Sequence, residues 1–301
     1  GIMEHLERAG VHSGDSISAY PTITIDNKTE KKIIEYSEKL AKALNVVGMI
    51  NIQYVLYNDD LYVIEVNPRS SRTVPYISKV TGIPMVDIAT KVMMGRKLTD
   101  FEYGTGLYKK SGYYAVKVPV FSFEKLPDVD TSLGPEMKST GEVLGIAETF
   151  HEALYKGITA AGIKLPEIGS GILMTVRDTD KPELIPIAEQ FEKLGYELWA
   201  TGKTANMLNM HGIATNSVRK INEGSPNILD LISSGKIKMV INTPTRGRQP
   251  ERDGFRIRRR AVEMSIPCLT AIDTAKAVLS CIRLKLSGGE PDIIDLGMLN
   301  N

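Results

Sequence analysis

Residues 51 to 67 combine side chains that can bind metal ions with a pattern that would bring them together. Two strand-like runs, at 51–57 and 61–67, flank Asn58-Asp59-Asp60, a sequence typical of a tight turn. We therefore predict a β-hairpin that folds symmetrically about Asp59.

On such a hairpin Gln53 lies opposite Glu65, and Asn51 lies opposite Asn67. Opposed residues on antiparallel strands share a face, with Cβ atoms about 5 Å apart, and alternation puts Glu65 and Asn67 on that face. Carboxylate and amide oxygens suit Mg²⁺, which keeps few protein ligands beside nucleotide phosphates. The alternative is a solvated polar face. We disfavour it because Glu65 stands among apolar residues, where an unpaired buried carboxylate would be costly.

Two arginines, Arg69 and Arg72, follow the hairpin directly. Guanidinium groups form forked contacts with phosphate oxygens. The sequence offers no Ser/His/Asp or Cys/His arrangement, so chemistry here would rest on positioning and charge neutralisation rather than on a covalent nucleophile.

Length and composition favour an ordinary globular protein. The 301 residues suggest two domains, and 37 Lys and Arg against 36 Asp and Glu give no field that points to nucleic acid or membrane. Two cysteines, Cys268 and Cys281, without metal-type spacing favour a cytoplasmic protein. The opening residues 1–6 are typical of the middle of a helix, which predicts a fragment.

Elements around the hairpin follow from apolar periodicity. Helices are predicted at 29–45 and 85–94, a strand within 111–122, and a loop rich in Gly and Pro at 133–141.

A second unit begins near residue 169, where short apolar strands alternate with helices. This alternation predicts a doubly wound, mostly parallel α/β sheet. We place the linker at about 155–170. The predicted elements are strands at 172–176, 197–200, 238–242 and 268–270, and helices at 182–194, 204–210, 228–233, 255–264 and 274–282.

In doubly wound sheets ligands bind beyond the carboxyl ends of the strands. Those ends carry Arg177, Lys181, the turn Thr201-Gly202-Lys203-Thr204, and Asn242-Thr243. Hydroxyl and backbone N–H groups at a helix start favour phosphate. A plain N-cap is the alternative interpretation of that turn.

Three segments of the first half resemble known enzymes. Gln53 with Glu65-Val66-Asn67-Pro68-Arg69 resembles the metal-binding end of ATP-grasp enzymes. The longer strings are similar to carbamoyl phosphate synthetase large subunits; they are Glu65-Val66-Asn67-Pro68-Arg69-Ser70-Ser71-Arg72-Thr73-Val74-Pro75, Gly10-Val11-His12-Ser13-Gly14-Asp15-Ser16 and Leu133-Gly134-Pro135-Glu136-Met137-Lys138-Ser139-Thr140-Gly141-Glu142-Val143.

The resemblance implies the end of an ATP-grasp unit (α+β, antiparallel sheet) over 1–160, in which ATP phosphorylates carbamate to carbamoyl phosphate. It further implies ATP with Mg²⁺ or Mn²⁺, K⁺ as a further candidate, and two partners, a glutamine amidotransferase small subunit and the remainder of the large subunit. Gln53, Glu65 and Asn67 would hold the metals, and Arg69 and Arg72 phosphate or carbamate. The nucleotide pocket would be lined by Gly10, Val11, His12 and Ser13. His12 has an alternative role in bonding local backbone.

Residues 171–282 resemble the methylglyoxal-synthase-like regulatory domain of the same enzymes, which implies an allosteric domain over 165–301. Its phosphorylated effector would be UMP, with IMP or phosphoribosyl pyrophosphate as alternatives. The implied effector residues are Lys181, Thr201, Thr204, Lys220 and Asn242.

The sequence departs from these families in three places. Ser225 and Thr245 stand where methylglyoxal synthase has catalytic aspartates, which disfavours lyase chemistry. Pro244 replaces a threonine of the phosphate pattern. Val118 replaces an acid expected beside Glu7 and Asp15 in ornithine-activated members, so we predict no ornithine response.

A cluster of arginines is the strongest local charge feature, and part of it is expected to line the effector pocket, with the rest on a solvated loop and helix face. The cluster consists of Arg246, Arg248, Arg252, Arg256, Arg258, Arg259 and Arg260. It lacks the interleaved aromatics of a nucleic-acid site.

Three functions are weighed. The leading one is part of an ATP-dependent ligase; the others are a stand-alone nucleotide sensor and a methylglyoxal-synthase-type lyase. Because the first lobe of an ATP-grasp site lies outside this chain, we expect the isolated chain to have no synthetase activity.

Overall fold

A computed structural model describes residues 1–108, 112–126, 129–244, 253–288 and 292–294. The β-strands of these residues, β1 to β11, are Glu4–His5, Ser18–Tyr20, Asn51–Tyr57, Asp60–Asn67, Tyr114–Val120, Gly141–Ala147, Gly171–Thr175, Glu197–Thr201, Thr215–Val218, Ile237–Asn242 and Cys268–Leu269. The α-helices, α1 to α9, are Asn27–Ala43, Thr73–Thr81, Met85–Met93, Phe150–Ala160, Lys181–Lys193, Gly202–Met210, Ile228–Ser233, Asp253–Glu263 and Ile272–Leu286.

The first unit, β1 to β6 with α1 to α4, contains an antiparallel sheet of order β1-β2-β5-β6 and the separate β3–β4 hairpin. The prediction that residues 1–6 come from within a helix is wrong. Glu4–His5 pair with β2, and the Leu6 N–H donates to the Ile17 carbonyl at 2.9 Å. Tertiary pairing overrides the local pattern in so short a segment.

The second unit, β7 to β11 with α5 to α9, confirms the predicted parallel sheet. Its strand order is β11-β10-β7-β8-β9, with every pair parallel. Alternate residues of β7 point to opposite faces. Ile172 and Met174 pack in one core cluster with residues of α5, α6 and α9, whereas Leu173 packs in another with residues of α7 and α8. Helices therefore cover both faces, which is why the strands are apolar throughout.

The two units share one hydrophobic core. Val116 and Leu154 of the first unit belong to the same cluster of buried residues as Leu184 and Val278 of the second. α4 packs against α9 and against β5 and β6. The predicted linker at 155–170 is wrong at its start, because α4 continues to Ala160 with Ile158 fully buried.

Glu7 lies buried where the two units meet. Its Oε2 accepts a hydrogen bond from the Ile17 N–H at 2.7 Å, and its Oε1 accepts one from the Thr274 hydroxyl, at the start of α9, at 2.9 Å. Burial raises the pKa of Glu7 from 4.5 to about 7.

This raised pKa predicts a pH-dependent stability. Between the two pKa values the folded chain keeps the Glu7 proton while the unfolded chain releases it, so the stabilisation is complete below the unfolded pKa and is lost as pH rises towards 7. We expect the urea-measured free energy of unfolding to fall more steeply from pH 5 to pH 8 in the wild type than in Glu7→Gln. Equal slopes in the two proteins would contradict the prediction.

Candidate functional site

The turn of the β3–β4 hairpin is tighter than predicted. Asn58 and Asp59 have positive φ values of 49° and 65°, as in a two-residue type I′ turn. Tyr57 therefore pairs with Asp60, and the predicted symmetry about Asp59 is wrong.

A β-bulge nevertheless restores the predicted register beyond the turn. Ile64 is an extra residue in β4, and past it Gln53 pairs with Glu65 and Asn51 with Asn67. The bulge compensates for the shorter turn, so the pairing at the open end of the hairpin is as predicted.

The three predicted metal ligands lie on one patch. The Asn67 Nδ2 donates to Glu65 Oε1 at 2.9 Å, and Gln53 Nε2 donates to the Ser13 hydroxyl at 3.0 Å. The patch thus presents one carboxylate, two side-chain amides and a hydroxyl.

The hairpin is more exposed than predicted. Val63 and Ile64 are 42% and 58% exposed, and Glu65 is exposed as well. Among the described residues β3 and β4 form a sheet of only two strands, so no further strand covers them. The Glu65 carboxylate is therefore not buried as predicted, and a functional interpretation of the hairpin rests on the grouping of donors.

The predicted nucleotide residues form the turn before β2. Gly10 has a φ of 110°, and Val11 is half-buried beside it. His12 Nδ1 accepts a hydrogen bond from the Gly14 N–H at 3.0 Å, so the proton of a neutral ring is assigned to Nε2. The alternative role of His12, bonding local backbone, is thus present. Ser13 links this turn to the hairpin patch through Gln53.

The two predicted arginines take different positions. Arg72 donates to the Ser139 hydroxyl at 3.2 Å and packs against Gly14, where a Cβ atom would lie 2.3 Å from its guanidinium. Arg69 is exposed and donates to the Ser70 carbonyl at 3.0 Å. Only Arg72 is thereby joined to the turn at 10–14.

Metal binding at the hairpin remains a prediction. No group of three or more His, Cys, Asp or Glu side chains in the described ranges could hold a metal ion. The predicted set does not form such a group, because Glu65 is its single carboxylate and its other members, Gln53 and Asn67, are amides.

The predicted effector residues converge on a cavity of about 960 Å³ at the carboxyl ends of β7, β8 and β10. β7 and β10 are neighbours in the sheet although two of its strands, β8 and β9, lie between them in the sequence, which makes their junction the topological switch point. Its lining includes all five of the implied residues, Lys181, Thr201, Thr204, Lys220 and Asn242.

Cationic and hydroxyl groups dominate the strand ends at this cavity. Lys181, at the start of α5, has a side chain that is 17% exposed, and its Nζ lies 2.6 Å from Asp178 Oδ1. Thr201 is the N-cap of α6 in extended conformation, and its side chain makes no capping bond. Asn242 Nδ2 donates to the Thr175 hydroxyl at 2.7 Å. Such groups, with free N–H donors at a helix start, can bind a phosphate.

Asp130 and Thr175 were not among the predicted site residues, and Arg258 was predicted only as one member of its cluster. Arg258 is buried and lines the cavity, so part of the arginine cluster lies where it was expected. Arg259 instead donates to the carbonyls of Phe123 and Leu126 in the first unit. Arg246, Arg248, Arg252 and Thr245 lie outside the described residues.

The two acids of the ornithine prediction are already engaged. Asp15 accepts hydrogen bonds from the Lys138 and Ser139 N–H groups, each at 2.8 Å, and Glu7 is bound as described above. Val118 is buried in the core. The absence of an ornithine response stays a prediction.

Comparisons with known proteins place the chain in a family. Residues 2–101 match the family described as carbamoyl-phosphate synthase L chain, ATP binding domain, and residues 183–270 match the MGS-like domain. Carbamoyl phosphate synthase large chains of Lachnoclostridium phytofermentans and Agathobacter rectalis are 54% and 53% identical, over 99% and 100% of this chain. The chain belongs to the carbamoyl phosphate synthase large-chain family.

This chain spans 28% of the length of either carbamoyl phosphate synthase relative. The match confirms the predicted fold class, an ATP-grasp part with an antiparallel sheet followed by a parallel-sheet MGS-like domain. A biotin carboxylase of Campylobacter jejuni is similar at 20% identity over 46% of this chain and 36% of its own, with a TM-score of 0.36. No described helix is both long and apolar enough to span a bilayer.

Proposed function

We propose that this chain is the C-terminal part of a carbamoyl phosphate synthase large subunit. Residues 1–160 would end its second ATP-grasp unit, and residues 165–301 would form its allosteric domain. The complete enzyme would make carbamoyl phosphate from bicarbonate, glutamine-derived ammonia and two ATP, for pyrimidine or arginine synthesis. A glutamine amidotransferase subunit and the remainder of the large subunit would be its partners.

The hairpin patch would contribute to the ATP site. Gln53, Glu65 and Asn67 offer oxygen donors that fit Mg²⁺ or Mn²⁺, which when bound would neutralise charge on the ATP phosphates. Gln53 and the turn at 10–13 are bonded to each other, so the residues proposed for metal and nucleotide adjoin. Arg72 would steady a phosphoryl or carbamate oxygen near Ser139. K⁺ is a further candidate at this site.

The cavity at the switch point would bind a phosphorylated effector of the UMP type. The observation that carries this proposal is the convergence of Lys181, Thr201, Thr204, Lys220 and Asn242 on one cavity. Two cations, two hydroxyls and an amide line the cavity together with the N-terminal end of α6, whose dipole favours an anion.

Calorimetry on the chain with UMP, IMP, phosphoribosyl pyrophosphate and ornithine tests the proposal. We expect at least one of the three phosphorylated ligands to bind and ornithine to produce no heat of binding. At a hundredfold its dissociation constant, a bound effector would also stabilise the fold by about 2.7 kcal/mol in thermal unfolding. Absence of binding by all three, or formation of methylglyoxal from dihydroxyacetone phosphate, would contradict the proposal.

A further inference from the structure

The cavity proposed for the effector has walls from both units. Beside the strand ends of the second unit, its lining includes residues of the 129–140 segment, which connects β5 to β6 in the first unit. Arg258 of α8 joins the two walls. It is almost fully buried, and its guanidinium donates hydrogen bonds to described residues in two directions.

In one direction Arg258 contacts the first unit. Its Nε donates to Asp130 Oδ1 at 2.8 Å, and its Nη2 donates to Asp130 Oδ2 at 2.7 Å. This forked geometry fixes the plane of the guanidinium and neutralises a charge that would be costly if buried alone. The Arg259 Nη1 adds a second attachment to the first unit through the carbonyls of Phe123 and Leu126, at 3.2 and 3.0 Å.

In the other direction Arg258 orients a proposed effector residue. Its Nη1 donates to Asn242 Oδ1 at 2.7 Å, while Asn242 Nδ2 donates to the Thr175 hydroxyl, also at 2.7 Å. A flipped amide would place its NH₂ group against the guanidinium donors. The amide of Asn242 is therefore held with its nitrogen towards β7.

The segment that supplies Asp130 also holds the turn at 10–16. Lys138 Nζ donates to the Asp130 carbonyl at 2.7 Å, and the Lys138 and Ser139 N–H groups each donate to Asp15 at 2.8 Å. The Asp15 N–H donates in turn to the His12 carbonyl at 2.8 Å. Hydrogen bonds and the Arg258–Asp130 ion pair thus connect Asn242 with the proposed nucleotide turn.

We propose that Asp130 and Arg258 are a positioning pair for the phosphate-ligand site. Asp130 of the first unit holds Arg258, and Arg258 orients the Asn242 amide, so the site reaches full affinity only with the 129–140 segment in place. By reciprocity a bound ligand steadies that segment and the turn joined to it. This inference rests on the proposed function of the cavity.

Three variants of this chain test the pair. Asp130→Asn keeps the shape and removes the charge, and Arg258→Lys keeps the charge but cannot form the fork and the Asn242 bond together. Arg256→Lys is the matched control, because Arg256 is an exposed neighbour on the same helix. We expect UMP affinity by calorimetry to fall about tenfold in each of the first two variants and to stay unchanged in the control. Either variant alone suffices if the other does not fold.

Hydrogen exchange separates positioning from a general loss of structure. In the wild type, saturating UMP should slow exchange of the Lys138 and Ser139 amide hydrogens. At matched saturation this response should disappear in Asp130→Asn and Arg258→Lys.

Wild-type affinity in both variants, or an exchange response that persists in them, would overturn the positioning pair. A wild-type chain that binds neither UMP nor the other phosphorylated ligands would overturn the proposed function instead.

Discussion

Gly145→Ala is expected to lower the free energy of unfolding by about 3 kcal/mol or more. A Cβ atom at Gly145 would lie 1.9 Å from the Ala153 carbonyl oxygen and 2.5 Å from the Gly157 nitrogen. These are backbone atoms of α4, so no side-chain rotation can relieve the clash. α4 would have to move away from β6, and it carries Leu154 and Ile158, both fully buried in the core that the two units share.

Gly141→Ala is the matched control for this prediction. Gly141 begins the same strand, and a Cβ atom there would meet only Val120 Cβ, at an ordinary 3.8 Å. We expect its unfolding free energy to stay within about 0.5 kcal/mol of the wild type in urea denaturation. If the two alanine variants unfolded at the same urea concentration, the close approach of α4 to β6 would not be what Gly145 provides.

The second unit could be predicted well because its local and tertiary patterns agree. Short apolar strands such as Ile237–Asn242 are buried on both faces, so their composition alone distinguishes them from the amphipathic helices between them. The carboxyl ends of such parallel strands locate the cavity. Lys181, Thr201 and Asn242 could be brought together for that reason.

The first unit was harder, because its elements depend on distant partners. β6 and α4 were not predicted, because Gly145 lowers the strand propensity of β6 and Gly157 lowers the helix propensity of α4. The contact between these two glycines allows α4 to pack closely on β6. Ile64 is also more exposed than the apolar run around it predicts, since a hairpin rich in Val and Ile ordinarily packs against other elements.

No sequence pattern indicates that Asp130 pairs with Arg258. Asp130 belongs to a loop, its partner Arg258 lies 128 residues away, and nothing in either local pattern indicates a pair. Contacts of this kind arise from how the two units dock. For this reason the walls of the cavity were predictable on the second unit and not on the first.

Lys181→Gln is expected to weaken UMP binding to this chain by about ten- to a hundredfold. Lys181 is the cation at the first turn of α5, largely buried beside the cavity. Its loss would remove one charge-assisted bond to phosphate, worth about 1.5–3 kcal/mol. Lys193→Gln is the control in calorimetry, because Lys193 lies on the same helix, also pairs with a carboxylate, and is exposed at 68%.

A second variant, for which UMP affinity should change in the opposite direction, tests whether the charge of Lys181 is responsible. Asp178 lies 2.6 Å from the Lys181 Nζ and competes with a ligand for it. Asp178→Asn should therefore strengthen UMP binding by about two- to fivefold at low salt, and less at high salt, since screening already weakens the pairing of an exposed carboxylate. If Lys181→Gln and Asp178→Asn changed affinity in the same direction, Lys181 would act on the fold of the α5 start rather than on the phosphate.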